Sequence, residues 1–412
     1  MFSLLRSGWI ILILLLIDWY AFQAVRTLVH EWHGRTRLVV YVLYGLFSLA
    51  SYAFLFFSAS WHVPAHQRMT GFTIAIGAIL GKILVDVWLL IDDIRRGIAW
   101  LVRLWAPHGE VSDAVHDASI SRSQFLSAAG LIVGGVLYGS LLYGMSNKYR
   151  YRIHHVRLHF PDLPEAFRGL RIVQISDIHA GSFTRPDRVA RGVQMAMDLK
   201  PDIIFFTGDL INNHHEEMED YQEIFSRLKA PMGVYSILGN HDYGDYTHWP
   251  SPEAKAANLE RLKQIEAEMG WHMLNNAHTI LERKGQQIAL IGVENWSALR
   301  HFSRYGDLKK AYAGTEAYPF KILLSHDPTH WDAQVRPEFP DIQLTLSGHT
   351  HGFQFGVEIP GFKWSPCEYV YKEWAGLYRE GNQYLYVNRG YGFIGYPGRV
   401  GILPEITLLE FV

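Results

Sequence analysis

The sequence predicts two parts of different class, an all-α four-helix membrane region over residues 1–147 and an α/β domain over residues 148–412. Three observations carry this. Four apolar stretches before Asn147 are each long enough to cross a bilayer, for which about 20 residues suffice. Beyond Pro161, short apolar runs alternate with helical patterns, the mark of α/β layering. Five of those runs end in Asp, Asn or His.

At 412 residues the chain exceeds one typical domain and can bury a sizeable core. Its 38 basic and 40 acidic residues nearly cancel, so no nucleic-acid binding is expected. The single cysteine, Cys367, excludes an intramolecular disulfide and a cysteine-rich metal site, and reads as a small packed side chain.

The membrane stretches are Gly8–Val25, Leu38–Ser60, Met69–Ile91 and Phe125–Met145. The first lacks a small-residue cleavage site and further spans follow it, so it reads as an anchor rather than a signal peptide. Asp18, Lys82 and Asp86 fall inside the spans, where charge is costly. Lys82 and Asp86 lie four apart on one helical face and are expected to neutralise each other, or to serve a function within the membrane. Gly130, Gly134, Gly135 and Gly139 form a small-residue face suited to close helix packing.

Ile94 to Pro107 mixes Arg95, Arg96 and Arg103 with Trp100 and Trp105, which suits a helix lying in the membrane interface or an ordinary loop helix. Orientation stays open. Arg26, Arg35, Arg37, Arg95, Arg96, Arg103 and Arg122 favour one sidedness, and Arg6, Arg68, Lys148, Arg150 and Arg152 the other. The stretch from Ser121 to Leu126 resembles a twin-arginine export signal with Ser123 in the second arginine's place. It inclines the reading towards an extracytoplasmic catalytic domain in a multi-pass membrane protein.

Asn147 to Pro161 reads as a polar, basic connection. Arg171–Ser176 is then a predicted strand ending in Asp177-Ile178-His179, followed by a helix over Pro186–Leu199. Asp202–Thr207 ends in Gly208-Asp209, and Gly233–Leu238 ends in Gly239-Asn240-His241-Asp242. Lys321–Leu324 ends in Ser325-His326-Asp327-Pro328, and Ile342–Leu346 leads into Gly348-His349-Thr350-His351-Gly352. In open α/β sheets, sites assemble in the crevice beyond strand carboxyl ends. A single Asp after a strand is usually a turn former. Five polar motifs in that position point to one shared site.

This ordered set resembles the calcineurin-like metallophosphoesterase superfamily over about Arg171 to Val412. The Gly-Asn-His-Asp and Gly-His-Thr-His-Gly forms behind a membrane anchor look most like its bacterial membrane-associated branch. The resemblance implies a four-layer sandwich, two central β-sheets flanked by helices, that holds two divalent metal ions. By carry-over, Asp177, His179 and His351 bind the first ion, Asn240, His326 and His349 the second, and Asp209 bridges them. A nitrogen and oxygen set without sulfur suits Mn, Fe or Zn better than calcium.

The implied reaction is hydrolysis of a phosphodiester or pyrophosphate bond by a hydroxide bridging the two metals. His241 is expected to act as general acid or to stabilise the developing charge, with Asp242 the carboxylate that orients it. A membrane tether favours a lipid-linked phosphoester substrate and contact with membrane lipids, and no obligate protein partner is evident. The alternatives are a phosphomonoesterase or phosphoprotein phosphatase, a non-enzymatic membrane sensor keeping the fold, or a membrane transport or lipid-binding module regulated by the hydrolase. A sensor would be expected to have degenerate ligand positions, and none is seen.

His214, His215, His248, His278 and His330 match no motif position and read as surface or loop residues; the first three lie in loops after ligand-bearing strands, where substrate contact is the lesser alternative. Tyr243, Tyr246 and Trp249, with the aromatic-rich stretch Phe353 to Trp374, suit holding an acyl chain or a base, or packing. Arg389 suits a phosphate contact or a structural salt bridge.

Overall fold

The computed structural model describes residues 8–58, 65–105 and 122–412. The chain divides into two compact units between Tyr143 and Gly144.

The first unit contains α1 (Gly8–Val29), α2 (Gly34–Phe57), α3 (Ala65–Trp105) and α4 (Arg122–Gly144). All four are long and apolar enough to cross a membrane. Leu, Ile, Val and Trp side chains on their outer faces stay exposed, as lipid-facing helices require. The stretch expected to form a separate interfacial helix is instead the continuation of α3, which runs unbroken for 41 residues. At 1.5 Å per residue that is about 60 Å, twice the hydrocarbon thickness. Arg95 and Arg96 pair with Asp92 and Asp93 one turn back, so the continuation is nearly neutral there. Arg6, Pro107 and Ser121 lie outside the described residues, as do the side chains of Arg103 and Arg122.

Lys82 does not pair with Asp86. Its ammonium bonds the Asp18 carboxylate on α1 and donates to the Ser48 hydroxyl on α2 at 2.8 Å. Tyr44, also on α2, donates to the Asp18 carbonyl oxygen at 2.9 Å. One ion pair with its hydrogen bonds thereby ties three helices, a contact that spacing along one helix does not reveal. Of the four glycines, Gly130 and Gly134 meet α3: a Cβ on Gly134 would lie 2.4 Å from the Gly81 oxygen. Gly135 and Gly139 face open space.

The second unit is built on two six-stranded sheets. The strands are β1 (Arg152–Leu158), β2 (Arg171–Ile175), β3 (Ile203–Phe206), β4 (Val234–Ser236), β5 (Trp271–Met273), β6 (Ala277–Arg283), β7 (Gln286–Gly292), β8 (Lys321–Leu324), β9 (Leu344–Ser347), β10 (Val357–Ile359), β11 (Phe362–Trp364), β12 (Gly376–Glu380), β13 (Gln383–Val387) and β14 (Glu405–Phe411). Sheet orders are β1-β14-β2-β3-β4-β5 and β12-β13-β9-β8-β7-β6, with β10 and β11 a separate hairpin. Strands β2 to β5 run parallel, as do β7, β8, β9 and β13.

Alternation along each strand explains the layering. Ile172, Ile203 and Phe205 join Ile322, Leu324, Leu344 and Leu346 in a core between the sheets. Val173, Ile175, Ile204 and Phe206 point the other way and are equally buried. Strands apolar on both faces need cover on both, which is why the runs read as continuous. Two longer helices in this unit are α5 (Pro186–Asp198) and α6 (Pro252–Glu268), each opened by a proline where its missing N–H costs nothing. The segment read as a polar connection contains β1, which pairs in parallel with β14 at the chain's other end.

Glu266, on α6, is fully buried and accepts from the Ser236 hydroxyl, while its Oε1 has no hydrogen-bond partner. Burial pushes its carboxyl up to about 8. A raised carboxyl is stable protonated, so the folded chain keeps a proton that the unfolded chain sheds near pH 4.5, and stability falls as pH rises from there to about 8. At about 1.4 kcal/mol per unit the loss amounts to a few kcal/mol. Glu266→Gln is therefore expected to raise the thermal midpoint at pH 8 by several degrees and to change it little at pH 5. Equal shifts at both pH values would disprove this.

Candidate metal centre

Strands β2, β3, β4, β8 and β9 release their chains at one end of the two sheets, and each next segment bends sharply. Asp177, His179, Asp209, His349 and His351 have left-handed backbone, with φ of 53°, 51°, 61°, 73° and 51°. Asp, Asn and His tolerate that region better than most residues, so the ligand types also suit the turns. Glycines supply the room. A Cβ on Gly239 would sit 2.2 Å from Asp209 Oδ1, and one on Gly348 would sit 2.2 Å from Asp177 Oδ2.

Two groups result, and within each the ligand atoms lie within 4.8 Å of one another. In the first, His351 Nε2 is 3.2 Å from Asp177 Oδ1 and 3.0 Å from His179 Nε2. In the second, His326 Nε2 is 3.2 Å from Asp209 Oδ2, and His349 Nδ1 is 3.3 Å from His326 Nε2. Asp209 Oδ2 also lies 3.5 Å from His179 Nε2, so this carboxylate stands between the groups.

Neighbouring atoms set the imidazole tautomers. His326 Nδ1 is 2.7 Å from the Thr207 carbonyl oxygen and His179 Nδ1 is 3.0 Å from Asn212 Oδ1. An oxygen of either kind only accepts, so both rings carry a proton on Nδ1 and turn Nε2 into the group. His349 turns Nε2 to the Tyr371 hydroxyl, 2.9 Å, and to Asp327 Oδ2, 3.4 Å.

Burial alone would raise Asp177 and Asp209, but His351 beside the first and His326 beside the second outweigh it and hold both carboxylates ionised. Burial opposes charge on His326, yet Asp209 pushes it up to about 10. Burial keeps His179, His349 and His351 below the ordinary imidazole range, in the neutral form that binds metals. Asn240 adds a donor. Its amide nitrogen donates to the Tyr246 hydroxyl at 2.9 Å, whereas its Oδ1 is buried with no hydrogen-bond partner. A buried acceptor without a partner, in the same cavity lining as an ionised Asp209 and the His349 imidazole, fits a cation.

Residues 3–148 match the family described as "Probable Calcineurin-like phosphoesterase, transmembrane domain", and residues 170–353 match "Calcineurin-like phosphoesterase". The metallophosphoesterase YkuE of Bacillus subtilis is 30% identical over 300 residues, covering 70% of this chain and 96% of the relative. The chain belongs to the calcineurin-like phosphoesterase family. A transmembrane protein with metallophosphoesterase domain from Danio rerio is 34% identical over 263 residues, 62% of this chain, and the chain spans 56% of that relative's length. The UDP-2,3-diacylglucosamine pyrophosphatase of Chlamydia trachomatis is 28% identical over 277 residues, 56% of this chain and 81% of the relative. Both matches, with the four helices long and apolar enough to cross a membrane, fit a membrane-associated member of this family.

His179, Asp209, Asn240, His349 and His351 line a cavity of about 440 Å³ together with Phe302, Phe353, Ile394 and Tyr396. His241 lines it too. Its Nδ1 donates to the Asn212 carbonyl oxygen at 2.9 Å, and its backbone N–H donates to Asp209 Oδ1 at 2.8 Å. Asp242 does not orient His241, contrary to the expectation from sequence. Its carboxylate accepts instead from the backbone N–H groups of Gly239, Asp209, Leu210 and Ile211, at 2.8 to 3.2 Å. The local turn aims Asp242 inward, where four amides need an acceptor.

His330 is fully buried rather than at the surface, bonded to Ser325 and Gln334 and stacked on Trp296. None of His214, His215 and His248 lines the cavity. His214 packs at a tilt against Trp249 and His215 bonds Asn258. Arg389 is buried against Glu405 and Glu358, a structural pair. Cys367 is buried, which pushes its thiol up to about 12.

Asn212, Asp327 and Tyr371 were not identified from sequence as supports of the site. Asp327 sits within the Ser325-His326-Asp327-Pro328 motif, and Asn212 follows Asp209 by three residues. Tyr371 lies in the aromatic-rich stretch Phe353 to Trp374, where nothing local marks it as a partner of His349. Replacing Gly348 by Ala should push Asp177 out of place, lowering retained metal and cutting turnover by about 100-fold with the fold intact. Metal analysis and circular dichroism check this; full metal occupancy in the variant would contradict it.

Proposed function

We propose that this protein is a membrane-anchored two-metal phosphoesterase acting on a phosphodiester or pyrophosphate bond of a lipid-linked substrate. In this reading residues 1–147 anchor the chain and residues 148–412 form the catalytic domain. The observation that carries it is the position of Asp209, between two compact groups of ligands of which His179, His349 and His351 line one cavity with it. Asp177, His179 and His351 would hold one cation, and Asn240, His326 and His349 the other, with Asp209 placed to serve both. When bound, such a pair supplies a nucleophile at neutral pH and neutralises phosphoryl charge.

The remaining chemistry belongs to the chain's own residues. His241 has Nδ1 committed to the Asn212 carbonyl, which leaves Nε2 to carry a proton to the departing oxygen. The Thr207 carbonyl and the Asn212 amide fix the ligand rings before substrate arrives. Support for a lipid-linked substrate comes from the four apolar helices, the apolar side chains in the cavity lining and the UDP-2,3-diacylglucosamine pyrophosphatase among the relatives.

Chelation should abolish hydrolysis, and Mn, Fe or Zn should restore it. Among substrates, a diester or a glycolipid pyrophosphate should turn over faster than a monoester or a phosphopeptide. Undiminished turnover by metal-free protein would end the two-metal reading. His241→Asn should lower turnover by about 10²–10⁴ with both metals retained. An unchanged rate in that variant would remove His241 from the mechanism.

A further inference from the structure

A second cavity in the catalytic unit, of about 560 Å³, has no part in the site described above. Five cations line it: Lys148, Arg150, Arg185, Arg188 and Arg191. They come from two separate segments. Lys148 and Arg150 follow the last membrane stretch, while Arg185 precedes α5 and Arg188 and Arg191 lie one turn apart on it. The Thr184 backbone N–H donates to the Tyr149 hydroxyl at 2.9 Å and fastens the two segments together. Lys148 lies over the rings of Tyr149 and Phe393, 5.7 and 5.4 Å from their centroids, which holds its stem in place.

The charge is largely unopposed. Asp187 pairs with Arg185 at 2.9 Å and lies 3.6 Å from Arg188. Among the described residues no carboxylate lies within 4.0 Å of Lys148, Arg150 or Arg191. Positive charge just after a span is ordinary and sets orientation. That accounts for Lys148 and Arg150. It does not account for three arginines well downstream, which only the fold of the domain brings to the same groove.

Met145 and Ser146 complete the lining, and they are among the last residues of the apolar stretch Ser123–Asn147. The groove therefore begins, along the chain, where the hydrocarbon-compatible sequence stops. We propose that this groove binds the phosphate headgroup of an anionic phospholipid. Arginine forks match phosphate oxygens in pairs, and a tyrosine at the same level is a common interfacial anchor. The attraction acts over about a Debye length, so it selects lipid already in the adjoining leaflet.

The test uses the full chain in detergent, titrated with phosphatidylglycerol or phosphatidylcholine and read by native mass spectrometry. Wild type should retain phosphatidylglycerol at least about tenfold more tightly. The triple variant Arg185→Gln, Arg188→Gln, Arg191→Gln should lose that preference while keeping wild-type thermal unfolding. An equal preference in wild type and variant overturns the proposal. So does competition by sn-glycerol 1-phosphate as effective as that by phosphatidylglycerol, which would make this a free-phosphate site. Should the triple variant unfold early, Arg191→Gln alone decides, since that side chain is exposed and has no ion pair. A preference unchanged in that variant also overturns the proposal.

Discussion

Two ionised carboxylates held against four imidazoles, where water is largely excluded, are the constraint on which the catalytic domain depends. Such a cluster cannot lie on straight strands, because alternate side chains diverge. The chain meets the demand with left-handed turns at five ligand positions, at roughly 1–2 kcal/mol each for an ordinary residue and less for Asp and His. Both sheets must present their strand ends to one place for those turns to meet. The shared core between β2, β3, β8 and β9 fixes that alignment.

A layer of backbone bonding keeps the turns from relaxing. Asp242 gathers four amides from the segments after β3 and β4, and Asp177 accepts from the His349 N–H at 3.0 Å, joining the two sheets' loops. Arg399 is buried and donates to the carbonyl oxygens of His351, Arg389 and Gly392. A buried guanidinium without backbone acceptors would be costly, so these bonds anchor the loop that carries His351. The structural carboxylates and the metal-facing ones thus do different work within a few residues of each other.

The membrane unit rests on another charge problem. Lys82 and Asp18 stabilise each other between helices, and the hydroxyls of Ser48 and Tyr44 complete their bonding. Gly81 and Gly134 let α3 and α4 approach closely where no hydrophobic driving force would pull them together. Asp86 is left with a buried Oδ1 that has no hydrogen-bond partner among the described residues.

Much of this was legible in the sequence, because the relevant signals are local. Apolar runs of span length, the apolar strands and the polar residues at their ends were all visible, as were all seven proposed ligands. Contacts between distant segments were not. β1 exists because β14 offers it a register, although its own pattern is half exposed. Lys82 chose Asp18 over Asp86, Asp242 turned to backbone amides rather than His241, and His330 went into the core, each decided by what the fold placed nearby. The sequence by itself determined the two-part architecture and the chemistry of the strand-end residues, since both follow from spacing and side-chain type. Only the tertiary structure decided which charges pair, which carboxylate stands between the two ligand groups and where the arginines of α5 lie, because those depend on distances across the fold.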